Sequence, residues 1–160
     1  MIKKLSIIVF ILFVPAVSTI AQKLVVKEKV AFDKTAEFSG IAGDDIVNVY
    51  ENDMGDYRIK ILGGTYKRTW HVEVTKTTDS WDSNFVLEVK RDPSDTRVTG
   101  GDSYLTVPDE PTADIFFWSN NKRDIKRPNL KIQYKVSGVT ASSATPGTYT
   151  TTITYTLVDD

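Results

Sequence analysis

The chain has 160 residues, of which 20 are Lys or Arg and 21 Asp or Glu, with one histidine and no cysteine. A balance this close to neutral carries no nucleic-acid footprint, which requires a clustered basic excess. Without cysteine there are no disulfide staples and no thiolate metal site, and a single histidine leaves zinc only carboxylates as co-ligands.

The N-terminus reads as an export signal. Lys3 and Lys4 supply a positive end, residues 5–14 carry no charge, Pro15 breaks the apolar run, and small residues lead to Ala21. This is the three-part plan of a secretory signal peptide. The run is too short for a bilayer-spanning helix, which needs about 20 apolar residues. A buried N-terminal strand or helix is the competing assignment. Cleavage after Ala21 divides the chain into a signal peptide, 1–21, and one domain, 22–160, starting at Gln22. Removing 21 of 160 residues leaves 139, enough for one domain with its own core, and losing Lys3 and Lys4 takes the net charge from −1 to −3. No cysteine follows the apolar run, which excludes a lipid-anchored lipoprotein, and no second apolar run suggests a membrane span in the mature chain. The expected location is the periplasm, the cell surface or the medium.

Beyond Ala21 the period is two, the signature of strands. Weaker strands are predicted at 24–30 and 46–51. In 57–61 apolar residues take the odd positions and charges the even ones. Trp70, Val72 and Val74 share one face, with His71, Glu73 and Thr75 opposite; Phe85, Leu87 and Val89 repeat the pattern. Short strands follow at 103–107 and 114–118. Leu130, Ile132, Tyr134 and Val136 then alternate with Lys131, Gln133 and Lys135. Finally Tyr149, Ile153, Tyr155 and Leu157 oppose Thr150, Thr152, Thr154 and Thr156. Turn chemistry separates these runs at 40–45, 52–56, Gly63-Gly64, 92–95, Gly100-Gly101 and Thr145-Pro146-Gly147. One buried and one wet face marks antiparallel sheets. About eight or nine short strands at regular spacing predict an all-β, two-sheet, immunoglobulin-like sandwich, without the Cys–Trp–Cys hallmark of true immunoglobulin domains.

The ending 131–138, then Thr145-Pro146-Gly147-Thr148-Tyr149, then 152–157 resembles the closing hairpin of bacterial surface and pilus-like β-sandwich domains such as the spore coat U and WxL groups. The resemblance covers roughly the last 30 residues. This chain lacks the cysteine pairs of the first group and the WxL tripeptide of the second. The resemblance implies a structural or adhesive surface role and no catalytic residues.

Candidate chemistry is sparse. His71 falls on the polar face of its strand, and spacing nominates neither a nucleophile nor an orienting carboxylate to join it. Asp44, Asp45, Asp53, Asp56, Asp92, Asp95 and Asp102 crowd loops that calcium, with its six to eight oxygen ligands, would use. The EF-hand spacing is absent, and turn formation explains these residues more simply. Glu73 and Glu88 have nothing beyond outward strand positions to mark them as a glycosidase pair. The sequence therefore names no catalytic residue, metal ligand or cofactor site.

Two aromatic features stand out. Trp81 lies in the polar segment 75–84 between strands, either exposed or folded back over the open end of the sandwich. In Ile115-Phe116-Phe117-Trp118 both faces of a strand are apolar, pairing Ile115 with Phe117 and Phe116 with Trp118, and a basic loop with Lys122, Arg123, Lys126 and Arg127 follows. Such a strand is covered on both sides or shows aromatics to a partner. The expected function is a non-catalytic secreted or cell-surface module with a structural or adhesive role. The alternative is a carbohydrate-binding module using exposed tryptophans. In both readings the partner is another surface protein or a glycan, and Trp81, Trp118, Lys122 and Arg123 are the candidate contacts.

Overall fold

The computed structural model describes residues 4–12, 23–27, 30–35, 49–62, 69–78, 80–119, 129–140 and 148–159. Among them are eleven strands and no helix: β1 (Lys4–Leu12), β2 (Lys23–Lys27), β3 (Val30–Thr35), β4 (Val49–Glu51), β5 (Tyr57–Leu62), β6 (Trp70–Lys76), β7 (Val86–Arg91), β8 (Leu105–Thr106), β9 (Asp114–Ser119), β10 (Asn129–Ser137) and β11 (Thr148–Asp159). One sheet has the order β3-β1-β11-β6-β9; the other has the order β2-β5-β10-β7-β8, with β4 also paired to β10.

The two sheets make a β-sandwich, as the alternation predicts. Val72 and Val74 of β6, Phe117 of β9, and Ile153 and Tyr155 of β11 meet Ile59 and Ile61 of β5, Leu87 and Val89 of β7, and Leu130, Ile132, Tyr134 and Val136 of β10 in one buried cluster. The strict in-out alternation of β6 and β10 produces this layer, because successive side chains leave a strand on opposite faces. Trp70, wholly buried at the start of β6, stands edge-on to Phe117 at 6.2 Å. The expectation of an immunoglobulin-like fold is met at the level of two packed sheets, antiparallel except where β1 joins β11; the strand order does not establish immunoglobulin connectivity.

Three sequence expectations change. The single strand expected at 24–30 is two, β2 and β3, which lie in different sheets. Residues 4–12, from Lys4 of the positive end into the uncharged run 5–14 of the expected leader, form β1, paired in parallel with β11 and antiparallel with β3. In β9, Phe116 and Phe117 are both buried while Ile115 and Trp118 are both exposed, so the expected pairing of Ile115 with Phe117 and of Phe116 with Trp118 fails. The cause is a β-bulge: Val72 pairs with Phe117 but the next residue, Glu73, pairs with Ile115, and the extra residue resets the alternation. The turns at 40–45, Gly63-Gly64 and Thr145-Pro146-Gly147, with Asp44 and Asp45, lie outside the described residues.

Candidate recognition site

The most distinctive surface is the outer face of β9 and β6 with the loop that borders it. Ile115 is 52% exposed and Trp118 is 38% exposed. Trp118 pairs with His71 across the ladder, and Ile115 pairs with Glu73. Nε2 of His71 lies 3.4 Å from Oε1 of Glu73. An aromatic plate, an aliphatic residue, an imidazole and a carboxylate thus share one patch.

The loop from Asp92 to Gly101 gives this patch its floor. Backbone bonds join Thr99 and Trp118 in both directions, at 2.8 and 2.9 Å. Gly100 has φ +85° and lies beneath the indole, so closely that a Cβ there would sit 2.6 Å from Cζ3 of Trp118. Only glycine satisfies both demands, a left-handed backbone and a side-chain-free surface.

Arg91, the last residue of β7, holds that loop in place. Its side chain is buried and donates from Nε to the Gly100 carbonyl, from Nη1 to the Asp92 and Asp95 carbonyls, and from Nη2 to the Val98 carbonyl. A guanidinium's planar fork of donors suits several converging carbonyls. Sequence reasoning missed this residue. The signal was there, since Phe85, Leu87 and Val89 set an inward parity that Arg91 continues, and an inward arginine requires acceptors.

The loop aspartates serve local geometry. The carboxylate of Asp92 accepts from the Ser94 amide at 2.9 Å, and that of Asp95 from the Arg97 amide at 3.0 Å and Nε at 2.8 Å. Hydrogen bonds from Arg97 hold the Asp95 carboxyl below its ordinary range. Asp53 and Asp56 close a turn in the same manner, the Asp53 amide donating to Oδ2 of Asp56 at 3.1 Å. Among the described residues no three His, Cys, Asp or Glu side chains gather around a common point that a metal could occupy.

Trp81 belongs elsewhere. Its Nε1 donates to the Phe85 carbonyl at 2.9 Å, and its ring stands edge-on to Phe85 at 5.7 Å while packing against the core. Ser80, the preceding residue, bonds to Thr150, whereas Trp118 and His71 align with Val158, eight positions along β11. At roughly 3.3 Å per strand residue, the two tryptophans lie about 25 Å apart, so they do not share a platform. Lys122 and Arg123 lie outside the described residues.

On the outer face of the other sheet, Nζ of Lys90 and Nζ of Lys135 each lie 4.2 Å from the ring centroid of Tyr104, and Lys135 pairs with Glu88 at 2.5 Å. The charges on this face compensate one another, and the Tyr104 hydroxyl among them is buried. No protein-family model matches the chain, and no curated protein is significantly similar to it. No helix among the described residues is long and apolar enough to cross a membrane.

Proposed function

We propose that the chain is the precursor of an exported, non-catalytic β-sandwich module with a structural or adhesive role at or beyond the cell surface of a bacterium. The observation that carries the adhesive part is the mounting of Trp118: an exposed indole seated on Gly100, in a loop pinned by a buried arginine. A stiff apolar plate rimmed by polar groups loses little conformational entropy on contact, which is why tryptophan dominates many recognition surfaces. The export part rests on the leader pattern of residues 1–21.

A second reading, a carbohydrate-binding module, is favoured by the same indole beside His71 and Glu73, because sugar rings pair an apolar face with hydroxyls. It now requires one tryptophan rather than two. The test is retention of the secreted protein on a panel of insoluble polysaccharides and on intact cells, compared with Trp118→Ala. Retention on cells alone, weakened at least several-fold by Trp118→Ala, supports the adhesive role. Retention on a polysaccharide, lost in Trp118→Ala, supports the carbohydrate reading. Unchanged retention of Trp118→Ala on every surface removes the patch from both readings.

A further inference from the structure

The β1–β11 pair is the one parallel pair among the described strands. It is made by the residues that the leader pattern marks for removal. β3 pairs with β1 and with no other described strand, so taking β1 away strips β3 of its only ladder and β11 of one of its two. Six register positions on β3 and seven on β11 then lose their partners. Unpaired strand edges of this length are costly and prone to association.

We propose that β1 is a placeholder, and that on its removal β3 moves one strand position inward and pairs directly with β11. The inference rests on the export reading above. Direction favours the move: β3 is antiparallel to β1 and β1 is parallel to β11, so β3 already runs antiparallel to β11. No reversal is needed, only a translation of about 4.8 Å, one strand spacing.

Register favours it as well. Ile7 links Phe32 to Tyr149, Val9 links Val30 to Thr151, and Ile8 links Ala31 to Thr150. A pure translation brings those pairs together without the one-residue slip that would turn every side chain to the other face. The tether allows it, since only two residues separate β3 from β2, and β2 in the opposite sheet already lies against β11. The resulting sheet, β3-β11-β6-β9, is antiparallel throughout.

The native chain has no cysteine, so engineered pairs give an unambiguous readout. Two variants, Val30→Cys with Thr151→Cys and Ala31→Cys with Thr150→Cys, sample neighbouring pairs of the proposed ladder. Each is made as the full-length chain by membrane-free synthesis and as the secreted chain from the complete gene, then oxidised with a copper catalyst. In the full-length chain β1 keeps the paired Cα atoms about 10 Å apart, beyond disulfide reach, whereas direct pairing brings them to about 5 Å. The expected result is an intramolecular disulfide at least about tenfold more abundant in the secreted chain, in one or both variants.

In the cysteine-free secreted protein, hydrogen exchange then shows protected, concentration-independent amides over residues 148–151, the positions that Val30 to Asp33 face in the transferred register. Equal cross-linking in both forms, cross-linking in neither together with fast exchange of those amides, or disulfide-linked dimers would each overturn the proposal. Dimers would assign the vacated slot to a second copy. Intact mass separates the two failures: an uncut secreted chain refutes the leader reading and the transfer with it, whereas a chain cut near Ala21 without the cross-link refutes the transfer alone.

Discussion

The hydroxyl of Tyr134, from β10, meets the hydroxyl of Tyr155, from β11, at 3.0 Å in the centre of the sandwich. The contact ties the two sheets together, one buried hydroxyl donating to the other. Burial without a partner costs about 1–3 kcal/mol, so Tyr134→Phe and Tyr155→Phe should each destabilise by roughly that amount. The double variant should lose less than the sum, because no orphaned hydroxyl remains. A double-mutant cycle by denaturant unfolding checks this; strictly additive losses would mean that the hydroxyls are not coupled.

The same burial sets an alkaline limit. Desolvation is the largest cause of raised pKa values at Tyr134 and Tyr155, and also at Tyr104. The folded state therefore favours neutral phenols more strongly than the unfolded chain does, where tyrosine titrates near 10. The stabilisation is fully present below about pH 10 and is lost as pH climbs from there toward the folded-state values, at up to roughly 1.4 kcal/mol per pH unit for each phenol. Melting temperature measured from pH 8 to 11.5 should be flat and then fall, and phenolate absorbance should rise together with unfolding. The Tyr134→Phe, Tyr155→Phe double variant should fall less steeply, with Tyr104 still contributing. A wild-type curve that stays flat above pH 11 would contradict this burial.

Register on β11 yields a sharper contrast. Ile153 is wholly buried, whereas Thr152 is half-buried on the opposite face and its amide donates to Oγ1 of Thr77 at 3.1 Å. Ile153→Asp places a charge without a counter-ion in the core and should cost several kcal/mol, enough to unfold the domain. Thr152→Asp should cost about 1 kcal/mol or less. Circular dichroism melts of the pair decide the register, and equal losses would place β11 one residue out.

Legibility in the sequence followed the period of the pattern. β6 and β10 could be read because one face is wet and one dry, so a period of two survives over seven or more residues. β11 was read from the same period, but Thr154, expected on its polar face, is buried between Ile153 and Tyr155. β9 could not be read correctly, since four consecutive apolar residues hide the phase and only the bulge at Phe116 decides which pair is buried. The split between β2 and β3 was hidden for another reason: both are short, and no turn residue separates Lys27 from Val30. For the candidate site, Trp118 was legible as an aromatic of uncertain commitment. The support for it, Arg91 and Gly100, was not, because a loop pinned by carbonyls leaves no side-chain pattern beyond an arginine at an inward position.

Trp70→Ala removes a wholly buried indole and should cost about 3–5 kcal/mol. Trp118→Ala takes away a side chain that sits on the surface over Gly100 and should cost about 1 kcal/mol or less. Arg91→Met keeps the length of the side chain but leaves the carbonyls of Asp92, Asp95, Val98 and Gly100 without their donor, for a loss of roughly 2–4 kcal/mol. The loop should then loosen and release the indole. In a chain whose only tryptophan is Trp118, made by Trp70→Phe and Trp81→Phe, acrylamide quenching should rise when Arg91→Met is added at a temperature well below the melt. Gly100→Ala should raise it too, by a different route, because the new methyl group occupies the space of the indole and a φ of +85° disfavours alanine. A single-tryptophan protein in which both substitutions leave quenching unchanged would show that Trp118 is positioned by β9 alone, and the loop from Asp92 to Gly101 would then have no part in recognition.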